Sequence, residues 1–254
     1  MKKALKKFFL ELVLSSPRIF DLYLLSKQYW KKMGEDELFF TSNIKKIDEP
    51  LKLIQVGAND GLRGDPVRKI ILKNPCKALL IEADPICFQA LKNNYKHINN
   101  RNITFKNVAI FPDTQDNLKF FSLSEEFRKH LPRKKQVILS RKASINSKLL
   151  VEYLSNIGYE EPEKLIESQN VKGEMLNTLF ADYFVPNILI VDTEGLDWKI
   201  IESIDFEKYK PKIIYFESKF TPTEKLKNKV LEKLNRYGYR VTDFGNNIGA
   251  IKFN

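Results

Sequence analysis

Short apolar runs alternate with helical patterns along most of the chain. Apolar runs of strand length lie at 51–57, 77–83, 102–110, 187–195 and 212–218. Two of the amphipathic stretches between them begin with Asp65-Pro66 and Asp84-Pro85, and an Asp-Pro pair is a typical start of a helix. Strands that are apolar throughout and alternate with helices indicate a parallel sheet covered on both faces. The pattern therefore predicts a doubly wound α/β sheet.

The C-terminal part of the pattern differs from the rest. A helix is predicted to start at the capping box Thr221-x-x-Glu224, with Pro222 in its first position, and to end at Gly238. The segments YRVTDF and IGAIKFN follow, separated by Gly-Asn-Asn, and predict an antiparallel hairpin. The expected sheet thus has five parallel strands and a C-terminal hairpin.

Residues 1–49 are predicted to form a helical extension ahead of a sheet domain at 50–254. Glu11 interrupts the apolar run near the start, which is also too short to span a membrane, so we expect neither a secretion signal nor a membrane helix. Two interpretations of residues 1–33 stay open, namely a hairpin that contacts a membrane or docks on a partner, and an extension that packs against the chain's own domain. The expected helices carry Leu5, Phe8, Phe9 and Leu12 on one face of the first, and Phe20, Tyr23, Leu24 and Trp30 on the second, which is capped by Ser16 and begins at Pro17.

A polar and basic segment interrupts the alternation at about 122–174. It contains HLPRKKQ and SRKASINSK, and one helix is predicted around LLVEYLSNIG. An interruption of this kind inside an α/β domain is either a mobile loop or an excursion that covers the site. We expect a substrate lid.

The stretch VGANDG at 56–61 is the most informative turn. It follows the first strand, where a glycine-rich turn lets a ligand approach the backbone closely. A pyrophosphate binds such a turn through backbone N–H groups and the helix dipole, so the carboxylate of Asp60 is unfavourable to it. S-adenosylmethionine instead carries a positive sulfonium and an ammonium group. The turn therefore favours S-adenosylmethionine over NAD or ATP, with Gly57, Ala58, Asn59, Asp60 and Gly61 as binding residues.

Other strand ends supply further candidates for the cofactor site. Glu82 ends the second strand, where a carboxylate accepts hydrogen bonds from ribose hydroxyls. Near the end of the third strand, an amide and two small residues are placed to border an adenine. These are Asn107, Val108 and Ala109, and Ala83 and Asp192 complete the predicted cofactor site.

The same motifs resemble a known family. IQVGANDG, Asp65-Pro66, IEADP at 81–85, IVDTEGLDW at 190–198 and IIYFES at 213–218 are similar, in this order, to motifs of the FkbM-type (Methyltransf_21-like) S-adenosylmethionine-dependent methyltransferases. The resemblance covers about 51–110 and 176–253. It implies the class I methyltransferase (Rossmann-like) fold. It also implies O-methylation of a hydroxyl, on a sugar of a glycan or of a glycosylated natural product, for example in polysaccharide biosynthesis.

Acidic residues at the later strand ends are the candidates for catalysis. Asp192 and Glu194 alternate at the end of the fourth strand, so both side chains can face one cavity. Three roles stay open for them, which are to position the cofactor or acceptor, to take the acceptor proton, or to hold Mg²⁺ together with Glu217. His130, in the basic insertion, is a further candidate base, whereas His97 is expected at the surface.

Charge and composition narrow the choice of partners. The net charge of +11 fits a nucleic acid or an anionic membrane, but scattered lysines fit a solvated surface equally well. Only two cysteines occur, without metal-ligand spacing, which indicates a cytoplasmic protein. DTEG stands where enzymes that methylate base amines resemble one another in N/D-P-P-Y/F, so we do not expect a nucleic-acid base as acceptor. A nucleic-acid ribose methyltransferase and a non-catalytic S-adenosylmethionine-binding or docking module stay open as alternatives.

Overall fold

The computed structural model describes residues 16–26, 34–62, 65–98, 102–113, 118–220 and 223–253. The expected helix within residues 1–15, together with Trp30, Thr221 and Pro222, lies outside the described residues, as does the side chain of Leu24. None of the helices in the described ranges is both long enough and apolar enough to cross a membrane.

The described residues form helices and strands in an alternating order. In chain order these are α1 (Pro17–Ser26), α2 (Glu35–Ile44), β1 (Leu51–Val56), α3 (Pro66–Lys73), β2 (Cys76–Ile81), α4 (Pro85–Tyr95), β3 (Ile103–Lys106), β4 (Ala109–Phe111), β5 (Leu118–Leu123), α5 (Glu125–Lys129), α6 (Arg133–Ser140), α7 (Ser147–Asn156), a 3₁₀ turn (Pro162–Leu165), β6 (Ile166–Val171), β7 (Gly173–Met175), α8 (Leu176–Asp182), β8 (Ile188–Val191), α9 (Asp197–Ser203), β9 (Ile213–Glu217), α10 (Glu224–Arg236), β10 (Arg240–Asp243) and β11 (Asn247–Ile251).

The central sheet has the order β10-β11-β9-β8-β1-β2-β3. Strands β3, β2, β1, β8 and β9 pair in parallel, whereas β11 runs antiparallel to β9 and to β10. The predicted plan of five parallel strands and a terminal hairpin is therefore confirmed. The strand order reverses between β1 and β8, and ligands of doubly wound sheets bind at this kind of switch point.

Two helical layers bury the two faces of this sheet. One core contains side chains of α8, α9 and α10 together with one set of alternating strand residues, such as Ile54 and Leu189. The other contains α2, α3 and α4 together with the opposite set, such as Leu53 and Ile190. Because both faces are covered, β1, β2 and β8 are buried along nearly their whole length.

The start of each of three helices depends on a side chain that caps it. Asp65 accepts a hydrogen bond from Val67 N at 2.8 Å, and Asp84 accepts from Ile86 N and Cys87 N, both at 2.9 Å, as the Asp-Pro pairs predict. The predicted start of α10 was wrong. Thr223 caps this helix through Leu226 N, so Glu224 is its first residue.

The pattern predicts a single strand at 102–110, but the structure has two strands there, β3 and β4. β3 belongs to the central sheet, whereas β4 pairs with β7 in a separate two-stranded parallel sheet. Asn107 lies at the break, where its Nδ2 donates to the carbonyl oxygens of Glu82 at 2.7 Å and Ala83 at 3.0 Å. This side chain ties the chain to the end of β2 while the backbone changes direction.

The insertion forms a small layer of its own. Strands β5 and β6 pair antiparallel along their full length, and α5, α6 and α7 lie between them in sequence. The predicted helix at LLVEYLSNIG is confirmed as α7. A separate apolar cluster holds the insertion together, formed by Leu123, Leu139, Leu150 and Leu154. Whether it acts as a lid stays a prediction.

Helix α1 is attached to the domain through buried charges. Asp21 pairs with Arg68, with hydrogen bonds of 2.5 and 3.0 Å, and the Arg68 side chain is fully buried. His97 Nε2 lies 2.7 Å from Asp21 Oδ2, and its side chain is 17% exposed. The expectation that His97 lies at the surface was therefore wrong, because its partner comes from a distant helix.

Candidate functional site

A pocket lies at the carboxyl ends of β1, β2 and β8, where the parallel strands leave the sheet. It spans about 530 Å³ of empty space, part of which is open to solvent. The strand ends, the β3–β4 region and the insertion all contribute to its wall. The lining residues are Val56, Gly57, Asn59, Glu82, Ala83, Val108, Ala109, Ile110, Phe111, Phe120, Ser140, Arg141, Ala143, Ile145, Asp192, Thr193, Glu194 and Leu196.

The glycine turn brings two of its five predicted residues to the pocket. Gly57 and Asn59 line it, and both have positive φ values, of 78° and 50°. Ala58 instead packs into the core beneath the turn. The Asp60 carboxylate accepts a hydrogen bond from Leu62 N at 3.1 Å, and a β-carbon on Gly61 would collide with Leu91 and Tyr95. These three residues therefore shape the turn rather than line the pocket.

Glu82 is buried at the end of β2 and faces the pocket. Its Oε2 accepts a hydrogen bond from Asn59 N and its Oε1 from Asp84 N, each at 2.8 Å. Burial raises the pKa of Glu82 to about 8, and the charges of Asp84 and Asp192 act in the same direction. The two backbone donors fix the carboxylate, while its remaining lone pairs stay available to a ligand.

The predicted adenine border is present in part. Ala83, Val108 and Ala109 line the pocket, and Ile110 and Phe111 extend this apolar wall. Asn107 is not one of the lining residues, because its amide is used to hold the end of β2. Its effect on the pocket is therefore indirect.

Asp192 directly follows β8 and lines the pocket. Its Oδ1 is buried and has no hydrogen-bond partner among the described residues. Burial raises the pKa of Asp192 to about 6, and the negative charge of Glu194 adds to this rise. Near neutral pH the group is therefore a mostly ionised carboxylate with an unused acceptor atom.

The turn DTEG after β8 is built around a residue that sequence reasoning did not select. Asp197 accepts hydrogen bonds from Thr193 N at 2.9 Å and from Gly195 N at 3.1 Å. Burial, and then the charge of Asp192, raise its pKa to about 7. Between these donors stands Glu194, which has a φ of 54° and lines the pocket. An Asp two residues after a Glu-Gly pair, at the start of a helix, is the signal that could have identified this role.

The candidate metal ligands do not form a metal site. Among the described residues, no group of three or more His, Cys, Asp or Glu side chains is arranged to hold a metal ion. Asp192 and Glu194 share the pocket, but the Glu194 carboxylate accepts a hydrogen bond from Lys142 Nζ. Glu217 is not a lining residue, and burial followed by the charges of Asp192 and Glu194 raises its pKa to about 8. The structure therefore gives no support to Mg²⁺.

The insertion supplies a wall of the pocket, and the sequence did not identify which of its residues form this wall. Phe120 of β5, Ser140 at the end of α6 and three of the residues that follow it line the pocket, namely Arg141, Ala143 and Ile145. The basic stretch SRKAS was visible in the sequence, but nothing in its pattern placed it at the site. His130, the candidate base from the same insertion, is exposed at the end of α5 and is not a lining residue.

The residues of the pocket fit S-adenosylmethionine. Glycine at position 57 keeps the ends of β1 and β8 close together, and Glu82 offers a fixed carboxylate for hydroxyl groups. The unpartnered Oδ1 of Asp192 offers an anion for a positive sulfur. Apolar residues, Val108 and Ala109 among them, complete a wall suited to an aromatic base.

Comparisons with known proteins agree with this geometry. The methyltransferase FkbM domain family matches residues 55–241 of the chain. Among solved structures, the chain is similar to methyltransferase FkbM from Methylobacillus flagellatus KT, with 14% identity, a TM-score of 0.51, and coverage of 94% of this chain and 51% of that one. The chain thus spans about half the length of that protein. At this identity the likeness shows the fold alone.

A second solved structure is precorrin-6y C5,15-methyltransferase from Geobacter metallireducens GS-15. It shares 14% identity over 85% of this chain and 87% of that one, and its TM-score of 0.39 is too low to support an argument. Comparison with curated proteins found no match. The family match covers most of the chain, and its sheet is that of the class I methyltransferases. The chain therefore belongs to the FkbM methyltransferase family and is an S-adenosylmethionine-dependent methyltransferase.

Proposed function

We propose that the protein is an O-methyltransferase that acts on a sugar hydroxyl of a glycan or of a glycosylated natural product. The observation that carries the proposal is the buried Oδ1 of Asp192, which has no hydrogen-bond partner in the described part of the chain and belongs to a residue that lines the pocket. When bound, S-adenosylmethionine supplies a methyl group that is already activated. The work left to the chain is therefore to align the acceptor, to exclude water and to accept a proton.

Asp192 is the base in this proposal. A sugar hydroxyl is a poor nucleophile near neutral pH, and a positioned base typically adds about 10² to 10⁴ in rate. Asp192 is mostly ionised at that pH, and its Oδ1 has a free lone pair to receive the acceptor proton. Glu194 is less suited to this step because its carboxylate is already paired with Lys142. In this proposal Glu194 helps to position the reactants and does not take the acceptor proton.

The other pocket residues hold the reactants. Gly57 and Asn59 let a ligand approach the backbone at the end of β1, and Glu82 accepts hydrogen bonds from hydroxyl groups of the bound cofactor. The carboxylates of Asp192 and Glu194 would stabilise the positive charge of the cofactor's sulfonium, because the site is partly shielded from water. Phe120 and the residues after α6 close the opposite side.

A hydroxyl fits the site better than an amine of a nucleic-acid base. The turn after β8 reads Asp192-Thr193-Glu194-Gly195, with neither the prolines nor the aromatic residue that hold and stack such a base. A ribose hydroxyl shares the chemistry of a sugar hydroxyl, and the net charge of +11 fits nucleic acid as well. The acceptor test below therefore includes nucleic acid as an explicit outcome.

The decisive experiment transfers a radiolabelled methyl group from S-adenosylmethionine to host extracts. These are separated into glycan, lipid, nucleic-acid and small-molecule pools. We expect label in carbohydrate, released by glycosidases but resistant to nuclease and to mild alkali, because methyl ethers survive alkali whereas methyl esters do not. The Asp192→Asn variant should give almost no label. Label that nuclease releases would instead identify a ribose methyltransferase, and cofactor binding without any label would identify a non-catalytic module.

The location of the protein forms a second part of the proposal. We expect it in the cytoplasm, with residues 1–33 as the segment that touches the inner face of a membrane. Exposed apolar side chains on α1, Ile19 and Leu22, are compatible with this contact. Sedimentation of the protein with anionic and with neutral lipid vesicles tests it, and equal recovery with both would contradict it.

A further inference from the structure

Lys142 joins the insertion to the turn that follows β8. It stands between α6 and α7, and its Nζ donates to Glu194 Oε1. The Lys142 side chain is 35% exposed and that of Glu194 is 11% exposed, so the pair is shielded from much of the solvent. An ion pair in such a place is stronger than one on the open surface.

Ser144 provides a second link between the same two segments. Its Oγ donates to the backbone oxygen of Glu194 at 3.1 Å and accepts from Asn146 N at 3.1 Å. Backbone hydrogen bonds of 2.8 and 3.0 Å also join Ser144 to Phe121 in β5. The segment that carries Lys142 is therefore fixed on both sides, to the insertion and to the turn.

Glu194 needs this external support. Its φ of 54° lies in the left-handed region, which residues other than glycine rarely adopt. Asp197 holds the backbone on either side of it, through Thr193 N and Gly195 N. Lys142 and Ser144 hold the carboxylate and the carbonyl group of Glu194 itself. The insertion thus determines where this acidic side chain stands.

The same contact changes the charge around Asp192. Burial raises the pKa of Asp192 to about 6, the charge of Glu194 adds to the rise, and the charges of Lys142 and Arg141 oppose it. Acidic side chains outnumber basic ones around Asp192, and the insertion supplies both of the cations that oppose the rise. The titratable and charged groups that face Asp192 are Asp65 of the α3 cap, Glu82 after β2, Arg141 and Lys142 of the insertion, Glu194 and Asp197 after β8, and Tyr215 and Glu217 of β9.

We propose that Lys142 is a positioning residue of the reaction centre, which holds the Glu194 carboxylate and offsets its charge, so that Asp192 stays available to the sulfonium and to the acceptor hydroxyl. The inference rests on the proposed function, in which Asp192 takes the proton. The insertion then contributes to the reaction centre, since Lys142 favours the ionised form of Asp192 at the end of β8.

The test measures binding, so it needs no knowledge of the acceptor. The full chain is titrated calorimetrically with S-adenosylmethionine and with its demethylated product, from about pH 5 to about pH 9, a range that covers perturbed carboxylates. The ratio of the two affinities isolates the interaction with the positive charge. In the unaltered protein we expect this ratio to rise with pH as Asp192 ionises, with a midpoint near its pKa of about 6.

Two variants should move this midpoint in opposite directions. Lys142→Met removes the compensating cation and should raise the midpoint by about one pH unit, whereas Glu194→Gln removes the anion and should lower it. Lys142→Arg keeps the charge and should restore the original profile. The matched control is Lys164→Met, which breaks the Lys164–Glu161 pair of the same insertion. Both of these side chains are about 70% exposed, so the control should leave the midpoint unchanged.

The inference is overturned if both midpoints stay where they are or move in the same direction. Structural damage alone does not produce opposite shifts, and melting temperatures identify a variant that fails to fold. If Lys142→Met does not fold, Lys142→Gln is titrated in its place, and the same upward shift is expected. An affinity ratio that is independent of pH, or unaffected by Asp192→Asn, would contradict the proposed role of Asp192. If the ratio rises with pH as expected in the unaltered protein but its midpoint does not shift in Lys142→Met, only the role of Lys142 is contradicted.

Discussion

The backbone oxygen of Asp192 stands 1.6 Å from the point where Gly57 would carry a β-carbon. The two residues belong to neighbouring strand ends, since Asp192 N donates to Val56 O at 2.9 Å. Gly57 also has a φ of 78°, which favours glycine on its own. The floor of the pocket therefore depends on the absence of a side chain at this position.

Replacement of Gly57 by Ala should abolish cofactor binding, because the ends of β1 and β8 must separate to accept the methyl group. The matched control is Gly245→Ala, at a similar φ of 85° with no atom within 4 Å of the added carbon. The control should lose only about 1–2 kcal/mol of unfolding free energy through backbone strain. Calorimetric titration and denaturant unfolding of both variants check this, and normal cofactor binding by Gly57→Ala would contradict it.

Replacement of Asp192 by Asn should lower kcat/KM by about 10² to 10⁴, the typical contribution of a general base. The variant should also bind S-adenosylmethionine less tightly while it binds the neutral demethylated product almost unchanged, because only the former carries a sulfonium. Glu194→Gln should leave cofactor binding measurable while turnover falls less. Steady-state rates and titrations with both ligands test this, and full turnover by Asp192→Asn would remove it as the base.

Much of the sheet could be predicted from the sequence because its signals are local. The apolar strands, the caps Asp65 and Asp84, and the hairpin around Gly245 each depend on a few consecutive residues. Parallel strands buried on both faces also give the strongest pattern. The glycine turn and Glu82 were found in the same way, since both follow a strand directly.

The rest of the site could not be predicted because it depends on contacts between distant residues. Lys142 stands in a polar segment without periodicity, and only the fold brings it to Glu194. Asn107 occupies the expected strand end, but whether its amide faces a ligand or the backbone of β2 depends on where the chain turns. His97 meets its partner Asp21 from a helix far away in sequence.

Stability should fall as pH rises, in part because of Glu217. Burial raises its pKa from 4.5 to about 8, and its Oε2 has no hydrogen-bond partner among the described residues. A group whose pKa is higher in the folded state stabilises the fold below its unfolded pKa, and this contribution is lost as pH rises towards the folded pKa. The cofactor-free protein should therefore melt at a lower temperature at about pH 8.5 than at about pH 5.

The Glu217→Gln variant isolates this effect. It should reduce the difference between the two melting temperatures, since glutamine does not ionise, whereas the exposed Glu163→Gln should leave the difference unchanged. Differential scanning calorimetry at both pH values is the measurement. A difference of equal size in the unaltered protein and in Glu217→Gln would show that this carboxylate is not the source.

The Asp21–Arg68 pair links α1 to the glycine turn, so its loss should affect both stability and binding. Arg68 is fully buried, and it also donates from Nη1 to Gly61 O at 3.1 Å and from Nη2 to Asn94 O at 2.9 Å. Asp21→Asn removes the carboxylate that pairs with the Arg68 guanidinium, and breaking a buried pair in this way costs about 3–5 kcal/mol. As the turn loosens, cofactor affinity should fall about tenfold, or about 1.4 kcal/mol.

A pair on the surface provides the comparison for this variant. Lys229→Met breaks the contact with Glu202, in which the lysine side chain is 63% exposed, and should cost less than about 1 kcal/mol without any effect on binding. Denaturant unfolding and calorimetric titration are run on both variants. Since Arg68 reaches the pocket only through the backbone of the turn, Asp21→Asn with normal cofactor affinity would show that α1 stabilises the domain without supporting the site.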